Sequence, residues 1–253
     1  MEWPNVTRLI YRNIKVNTDP GSLTILIGLP AMYLVFFGFG FASLASGGGS
    51  AYLSFLTPGL MAFQAVMAGT VGGSMLWADR RYGMLAQLLV GPFTRLQYLL
   101  GIMLTSVLFG LAGALVMLGI AYLLLGGISV TVTGILIMLA IITVGSIFFG
   151  SLMLLIAAYV KSNNAYNSIQ ILVLFLVNFA STVFYPYTSN LPLVLRGLFI
   201  VNPLTYIADG VRDAYTGSFG GNIGYELGVL CIETIVVLLL ATRAYMRSDV
   251  SME

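Results

Sequence analysis

The sequence predicts an all-α membrane protein with six transmembrane helices and both ends in the cytoplasm, and three observations predict it. Hydrophobic residues make up 59% of the 253 and the mean hydropathy is +0.98. Only 8% of the residues are charged, where a soluble domain carries about a quarter. Six apolar stretches, 22–44, 54–77, 97–125, 131–160, 167–186 and 223–245, are long enough to cross, because a helix covers a hydrocarbon core of about 30 Å with roughly 20 residues. Each must be helical, since an unpaired backbone amide in lipid costs several kcal/mol.

The whole chain, 1–253, reads as one domain. Residues 1–20 come first, with Val6, Leu9, Ile10 and Ile14 at helical spacing and Arg8, Arg12 and Lys15 off that stripe. The pattern suits a helix lying in the cytoplasmic interface with its basic groups toward anionic headgroups; a frayed polar tail is the alternative. Helices one to five fill 22–186, and the run that begins at Ser22 is too long for a signal-peptide core, so it reads as a retained helix. Ser46-Gly47-Gly48-Gly49-Ser50 separates helices one and two, Gly126-Gly127 three and four, and Lys161-Ser162-Asn163-Asn164 four and five. Residues 187–220 are apolar but interrupted by Pro192, Asn202-Pro203 and Gly217. Such a segment is too broken to span and fits two short helices that dip into the outer leaflet and return. Helix six, 223–245, completes the set.

Orientation follows from the basic residues. Arg8, Arg12, Lys15, Arg80, Arg81, Arg95, Lys161, Arg243 and Arg247 fall on one side, and only Arg196 and Arg212 on the other. That asymmetry places both termini inside a multi-pass cell membrane protein.

Composition also excludes function classes. There is no His and the single Cys231 permits no intrachain disulfide, so metal and nucleophile–base chemistry lose their commonest side chains. No Gly-x-x-x-x-Gly-Lys-Ser/Thr phosphate loop occurs, so ATP is not bound by that device. A net charge of +2 offers nothing to nucleic acid. The reading is of no enzyme, no metal and no cofactor on this chain.

Within the spans, Ala65, Gly69 and Gly73 form a small-xxx-small row on helix two, either a dimer seam or close packing inside one subunit. Beside it run Phe63, Met67, Thr70, Ser74 and Trp77, and helix five carries Ile171, Phe175, Asn178, Thr182 and Tyr185. Mixed faces of this kind suit a path for an amphipathic or lipid-linked substrate, or plain interhelical hydrogen bonding. Glu233 stands mid-span, where a charge is costly, and is either a proton-coupling group or a structural acid. Glu226 is expected to reach headgroups, and Asp209, Arg212 and Asp213 have the spacing for local pairing. Between helices two and three, Tyr82, Leu85, Leu88 and Leu89 recur at helical spacing with Arg80, Arg81 and Gln87 outside the stripe, and Pro92 ends the segment. This is a cytoplasmic helix that docks a partner or one that caps the bundle.

Several motifs, in order, resemble the membrane subunit of ABC exporters, the ABC transmembrane type-2 permeases, over essentially the whole chain. They are Tyr52-Leu53-Ser54-Phe55-Leu56-Thr57-Pro58-Gly59; the stretch Asp79 to Arg95 with Gly83, Gln87-Leu88-Leu89 and Pro92; and Tyr98-Leu99-Leu100-Gly101. Phe184-Tyr185-Pro186, Leu191-Pro192, Asn202-Pro203-Leu204-Thr205-Tyr206 and Asp209-Gly210-Val211-Arg212 follow. The resemblance implies a half-transporter that pairs with a second copy or close paralogue and with two ATP-binding subunits, which hold the ATP and Mg²⁺. It makes the Asp79–Arg95 segment the coupling helix, with Asp79, Arg80, Arg81, Tyr82, Gly83, Leu85, Gln87, Leu88, Pro92 and Arg95 as docking residues. Phe63, Met67, Thr70, Ser74, Phe175, Asn178, Thr182 and Tyr185 then line the path, and Pro192, Asn202, Pro203, Asp209 and Arg212 belong to an outer lid. The sequence departs from the family where Arg81 and Ala86 replace frequent glutamates, which strips negative charge from the docking surface. The expected activity is ATP-driven export of a hydrophobic or amphipathic substrate: drug, lipid or lipid-linked saccharide. A polysaccharide permease, a carrier coupled through Glu233, and a structural or assembly protein of the membrane stand as alternatives. On this reading Leu85→Asp or Leu88→Asp uncouples hydrolysis from transport and leaves insertion intact.

Overall fold

The computed structural model describes residues 3–40, 49–127, 130–218 and 222–248, and these are helical apart from turns and one irregular segment, with no strand. Helix α1 is Trp3–Asn17. The first span, Pro20–Gly40, is built from α2 (Pro20–Leu23), a π-helical turn (Thr24–Gly28) and α3 (Leu29–Gly40). Asp19 caps it by accepting from the amides of Gly21 and Ser22 at 3.0 and 3.2 Å, with Pro20 at the first helical position, where its missing N–H costs nothing. The widened turn lies just before Pro30, whose ring crowds the carbonyl four residues back.

Then come α4 (Gly49–Arg81), α5 (Met84–Val90), α6 (Arg95–Leu125), α7 (Val132–Tyr159), α8 (Asn163–Phe179), α9 (Leu193–Val201), α10 (Pro203–Thr216) and α11 (Asn222–Arg247). Most of the expected glycine turn at 46–50, and the end of the first span beyond Gly40, lie outside the described residues. Among the described residues five helices are long and apolar enough to cross a membrane: Pro20–Gly40, Ala51–Arg81, Arg95–Leu125, Val132–Tyr159 and Ile223–Arg247. The bent pair α9 and α10, broken by 77° at Asn202, would make a sixth if counted as one span. The expected fifth span is corrected. Instead of 167–186, α8 stops at Phe179 after 17 residues, the lower limit of spanning length, and 180–192 is irregular.

The centre of the bundle is α4, buried on nearly every side by α7, α6, α10 and the first span. Its small-residue row meets α7 of the same chain. A Cβ on Gly69 would stand 2.6 Å from the Phe149 backbone, one on Gly73 2.5 Å from Met153 Cβ, and Ala65 approaches Gly145. The row is therefore an intrachain seam, and the dimer-seam alternative falls away. Gly69→Val is expected to destabilise the bundle by about 1–3 kcal/mol through overpacking, read as a lower midpoint in a thermal melt of the purified protein.

Candidate functional site

At one end of the bundle the sequence brings together α1, the end of α4, α5, the start of α6 and the ends of α7 and α11. Val6, Leu9 and Asn13 are the buried face of α1, laid along α6, where a Cβ on Gly101 would lie 2.9 Å from Leu9 Cβ. The Asn5 side chain donates to Pro92 O at 3.1 Å and that of Asn13 to Thr105 at 3.2 Å. Arg12, expected to face headgroups, is instead bidentate on Asp79, its Nη1 at 2.7 Å from Oδ2 and its Nη2 on Oδ1. The Tyr98 hydroxyl donates to the same Oδ2 at 2.7 Å. Hydrogen bonding to Asp79 raises the guanidinium pKa above its ordinary value. Arg8 and Lys15 stay exposed on the opposite face.

Two more cations close helix ends, where orphan carbonyls and the helix dipole favour positive charge. Arg80, 2% exposed, donates to Ala157 and Ala158 carbonyls of α7 at 2.6 and 2.9 Å. Arg95 reaches Tyr245, Met246 and Ser248 carbonyls at the end of α11 at 3.0 to 3.2 Å. Stacked pairs Trp77–Tyr166 and Tyr98–Tyr245 add a cluster that ties α8 and α11 to this end.

Against this base α5 stands out. The expected stripe is corrected at Tyr82: α4 ends at Arg81, and Gly83 at φ 71° restarts the chain in a new direction, a backbone that glycine adopts without strain. Leu85 is 2% exposed and rooted in the aromatic cluster, with Leu88 and Leu89 half-buried beside it. Tyr82, 79% exposed, and Val90, 90% exposed, stand clear with Arg81, Met84, Gln87 and Pro92. Asp79, Arg80, Leu85 and Arg95 thus hold the chain to itself, and Arg81, Tyr82, Gln87 and Pro92 form an exposed crest with no acidic group.

At the other end, residues 180–184 of the irregular segment are buried in protein, a setting that tolerates non-helical backbone at membrane depth. Side chains meet the carbonyls of Val177 and Phe179 at the end of α8 and of Ala180, Thr182 and Phe184 in this segment. Asn202 donates to Val177 O and Ala180 O at 2.7 Å each. Tyr185 takes Phe179 O, Arg212 takes Thr182 O at 2.9 Å, and Tyr52 takes Phe184 O at 3.0 Å. Phe184 packs among Phe37, Tyr33 and Phe179 with ring centroids 5.2 to 5.6 Å apart. Asp209 accepts from Thr182 at 2.7 Å and pairs with Arg212 at 2.5 Å, while the Arg212 guanidinium lies 4.1 Å from the Phe55 ring centroid. Pro192 and Asn202 cap α9 and α10, and Pro203 begins α10. Of the expected lid residues, Asn202, Asp209 and Arg212 therefore converge on 180–182, while Pro192 stays exposed; Thr182 and Tyr185 leave the path stripe of helix five because they lie beyond its end.

Between the two ends, Phe63 is buried near Tyr33, whereas Met67, Thr70 and Ser74 line a cleft of about 190 Å³ with Asn17, Ser22 and Leu26. Ser74 meets Gln170 of α8 at 3.3 Å. Phe175, with Ile171, Leu172 and Leu176, is exposed on the outer face of α8, and Asn178 is 1% exposed with neither side-chain polar atom hydrogen-bonded.

The family described as ABC-2 type transporter matches residues 5–216, from α1 through α10. The chain belongs to that family. No curated protein matches it. An ABC-2 membrane subunit is a transport subunit and not itself a catalyst, and the family generally works with ATP-binding subunits. In this ABC-2 permease, sequence reasoning missed Arg12, Tyr98 and Asn13 as partners of the α4–α6 junction. A polar Asn13 on the apolar side of α1 was the available signal. Asn202→Ala is expected to cost about 3 kcal/mol, roughly 1 kcal/mol for each of three lost hydrogen bonds, and to speed hydrogen exchange at 177–186.

Proposed function

We propose that the chain is the membrane subunit of an ATP-driven exporter, working as a pair of copies with two ATP-binding subunits that carry ATP and Mg²⁺. The crest of α5 is the single observation that supports this most. A short helix rooted by Leu85 presents Arg81, Tyr82, Met84, Gln87 and Val90 beyond the ends of the spans. A force applied to that crest passes through Asp79 to α1 and α6, and through Arg95 to α11. The nine basic residues of the charge-rich side gather at this end, so it faces the cytoplasm with both termini, and the ATPase groove that receives it is acidic around Arg81. The exposed face of α8 meets the second copy. The Met67–Ser74 cleft and that face form a path for a hydrophobic or amphipathic substrate, with 180–186, α9 and α10 as the outer lid.

Coexpression with the phosphate-loop ATPase encoded nearest its gene, followed by transport in vesicles, tests this. An ATPase is expected to copurify, and transport to require ATP and Mg²⁺. Transport by the chain alone on a proton gradient would instead support a carrier using Glu233. No transport in either format would leave a structural role.

A further inference from the structure

Where α7 and α11 reach the basic end of the bundle they part, leaving a cleft of about 440 Å³ lined by Leu155, Tyr159, Leu240, Arg243, Ala244 and Arg247. Its floor is apolar. Its rim carries two guanidiniums four residues apart, hence on one face of α11, and the exposed Tyr159 of α7. Among the described residues no carboxylate lines it.

Among the described residues neither Arg243 nor Arg247 has an ion pair or hydrogen bond. Of the other arginines at this end, Arg12 is held by Asp79, Arg80 caps α7 and Arg95 caps α11, while Arg8 and Arg81 are exposed away from this cleft. Because Arg95 already serves the last carbonyls of α11, helix capping does not account for Arg243 and Arg247. Two cations with no ion pair among the described residues, beside an apolar floor at the ends of two spans, complement an anion that carries hydrocarbon.

We propose that this cleft binds an anionic phospholipid of the cytoplasmic leaflet. The phosphate sits between Arg243 and Arg247, the Tyr159 hydroxyl donates from the α7 side, and acyl methylenes lie over Leu155 and Leu240. Basic pockets between spans on the cytoplasmic side are suited to such headgroups. The leaflet rests on the orientation proposed above; the cleft itself does not.

The test is native mass spectrometry of the protein released from nanodiscs of one part phosphatidylglycerol to four parts phosphatidylcholine. The unaltered protein is expected to retain phosphatidylglycerol in preference to phosphatidylcholine. Retention is expected to weaken about fivefold in Arg243→Gln or Arg247→Gln and about thirtyfold in the double variant. Arg8→Gln/Lys15→Gln removes the same charge elsewhere and is expected to retain the lipid. Equal loss in both double variants, or loss in neither, overturns the proposal. If Arg243→Gln/Arg247→Gln does not fold, a photoactivatable phosphatidylglycerol decides on the unaltered protein. Labelling confined to peptides bearing Leu155–Tyr159 and Leu240–Arg247 supports the site. Labelling elsewhere, or a cleft shielded by the ATPase or a second copy in the assembled complex, overturns it. A reporter fused after Glu253 reads the side independently. Retention with an extracytoplasmic reporter overturns the orientation and the leaflet together, and lost retention with a cytoplasmic one overturns the lipid site alone.

Discussion

Asp79→Ala is expected to release α1 from the bundle and to weaken the coupling of α5 to the spans. The carboxylate of Asp79 joins three elements here: it stands in the last turn of α4, holds Arg12 of α1 through two hydrogen bonds and accepts from Tyr98 of α6. Its side chain is 9% exposed and that of Arg12 26%. Removing one member of a buried pair typically costs 3–5 kcal/mol, because the other is left charged and desolvated. With Arg12 a quarter exposed, about 2–3 kcal/mol is the expected loss. Arg12→Ala is expected to cost less, since Asp79 keeps Tyr98. Hydrogen exchange over 3–17 is the measurement, and a double-mutant cycle isolates the pair. Unchanged protection of α1 in Asp79→Ala would show that Leu9 and Asn13 hold the helix without the ion pair.

Leu85→Asp is expected to prevent folding, not merely to uncouple hydrolysis. Leu85 is buried among Met75, Trp77 and Tyr98, so aspartate there loses the leucine's packing, about 2–5 kcal/mol, and buries a carboxylate without a partner. The expected result is little folded protein in size-exclusion chromatography. Tyr82→Ala, on the exposed crest, is expected to leave stability within about 0.5 kcal/mol. It should lower transport per ATP hydrolysed about tenfold if Tyr82 is an interface anchor, such aromatics costing 2 kcal/mol or more when truncated. A Leu85→Asp protein with an unaltered melt would place that residue on the partner's surface instead. Wild-type coupling in Tyr82→Ala would remove the crest from the docking site.

Leu85 shows how far periodicity reaches. The spacing of Leu85, Leu88 and Leu89 correctly marks an apolar face on a short helix, yet an apolar face packs equally well against a partner or against its own bundle. Tyr82 fell out of that face because Gly83 breaks the helical phase, and a single positive φ is invisible to a periodic count. Helix five departs from its expected bounds at its C-terminal end for a different cause. Residues 180–186 are apolar enough to continue a span, but Asn202, Arg212 and Tyr52 meet the carbonyls of Ala180, Thr182 and Phe184 without helical bonds. No local feature of 180–186 announces partners so far along the chain.

What the sequence by itself determined is the set of properties that are sums over one segment. Burial in lipid follows from the hydropathy of each stretch, the bent pair α9 and α10 from Asn202-Pro203, and the difference in charge between the two ends from where Lys and Arg fall. What only the tertiary structure decided is which charges are already spent. Arg12 finds Asp79 across 67 residues and Arg95 finds the end of α11 across 150. Those pairings depend on how helices lie side by side, and a residue's own helix does not carry that information. The physical consequence is a division of the α4–α6 junction into a base and a crest. Asp79, Arg80, Leu85 and Arg95 are consumed in holding the bundle, and Arg81, Tyr82, Gln87 and Pro92 are left facing outward.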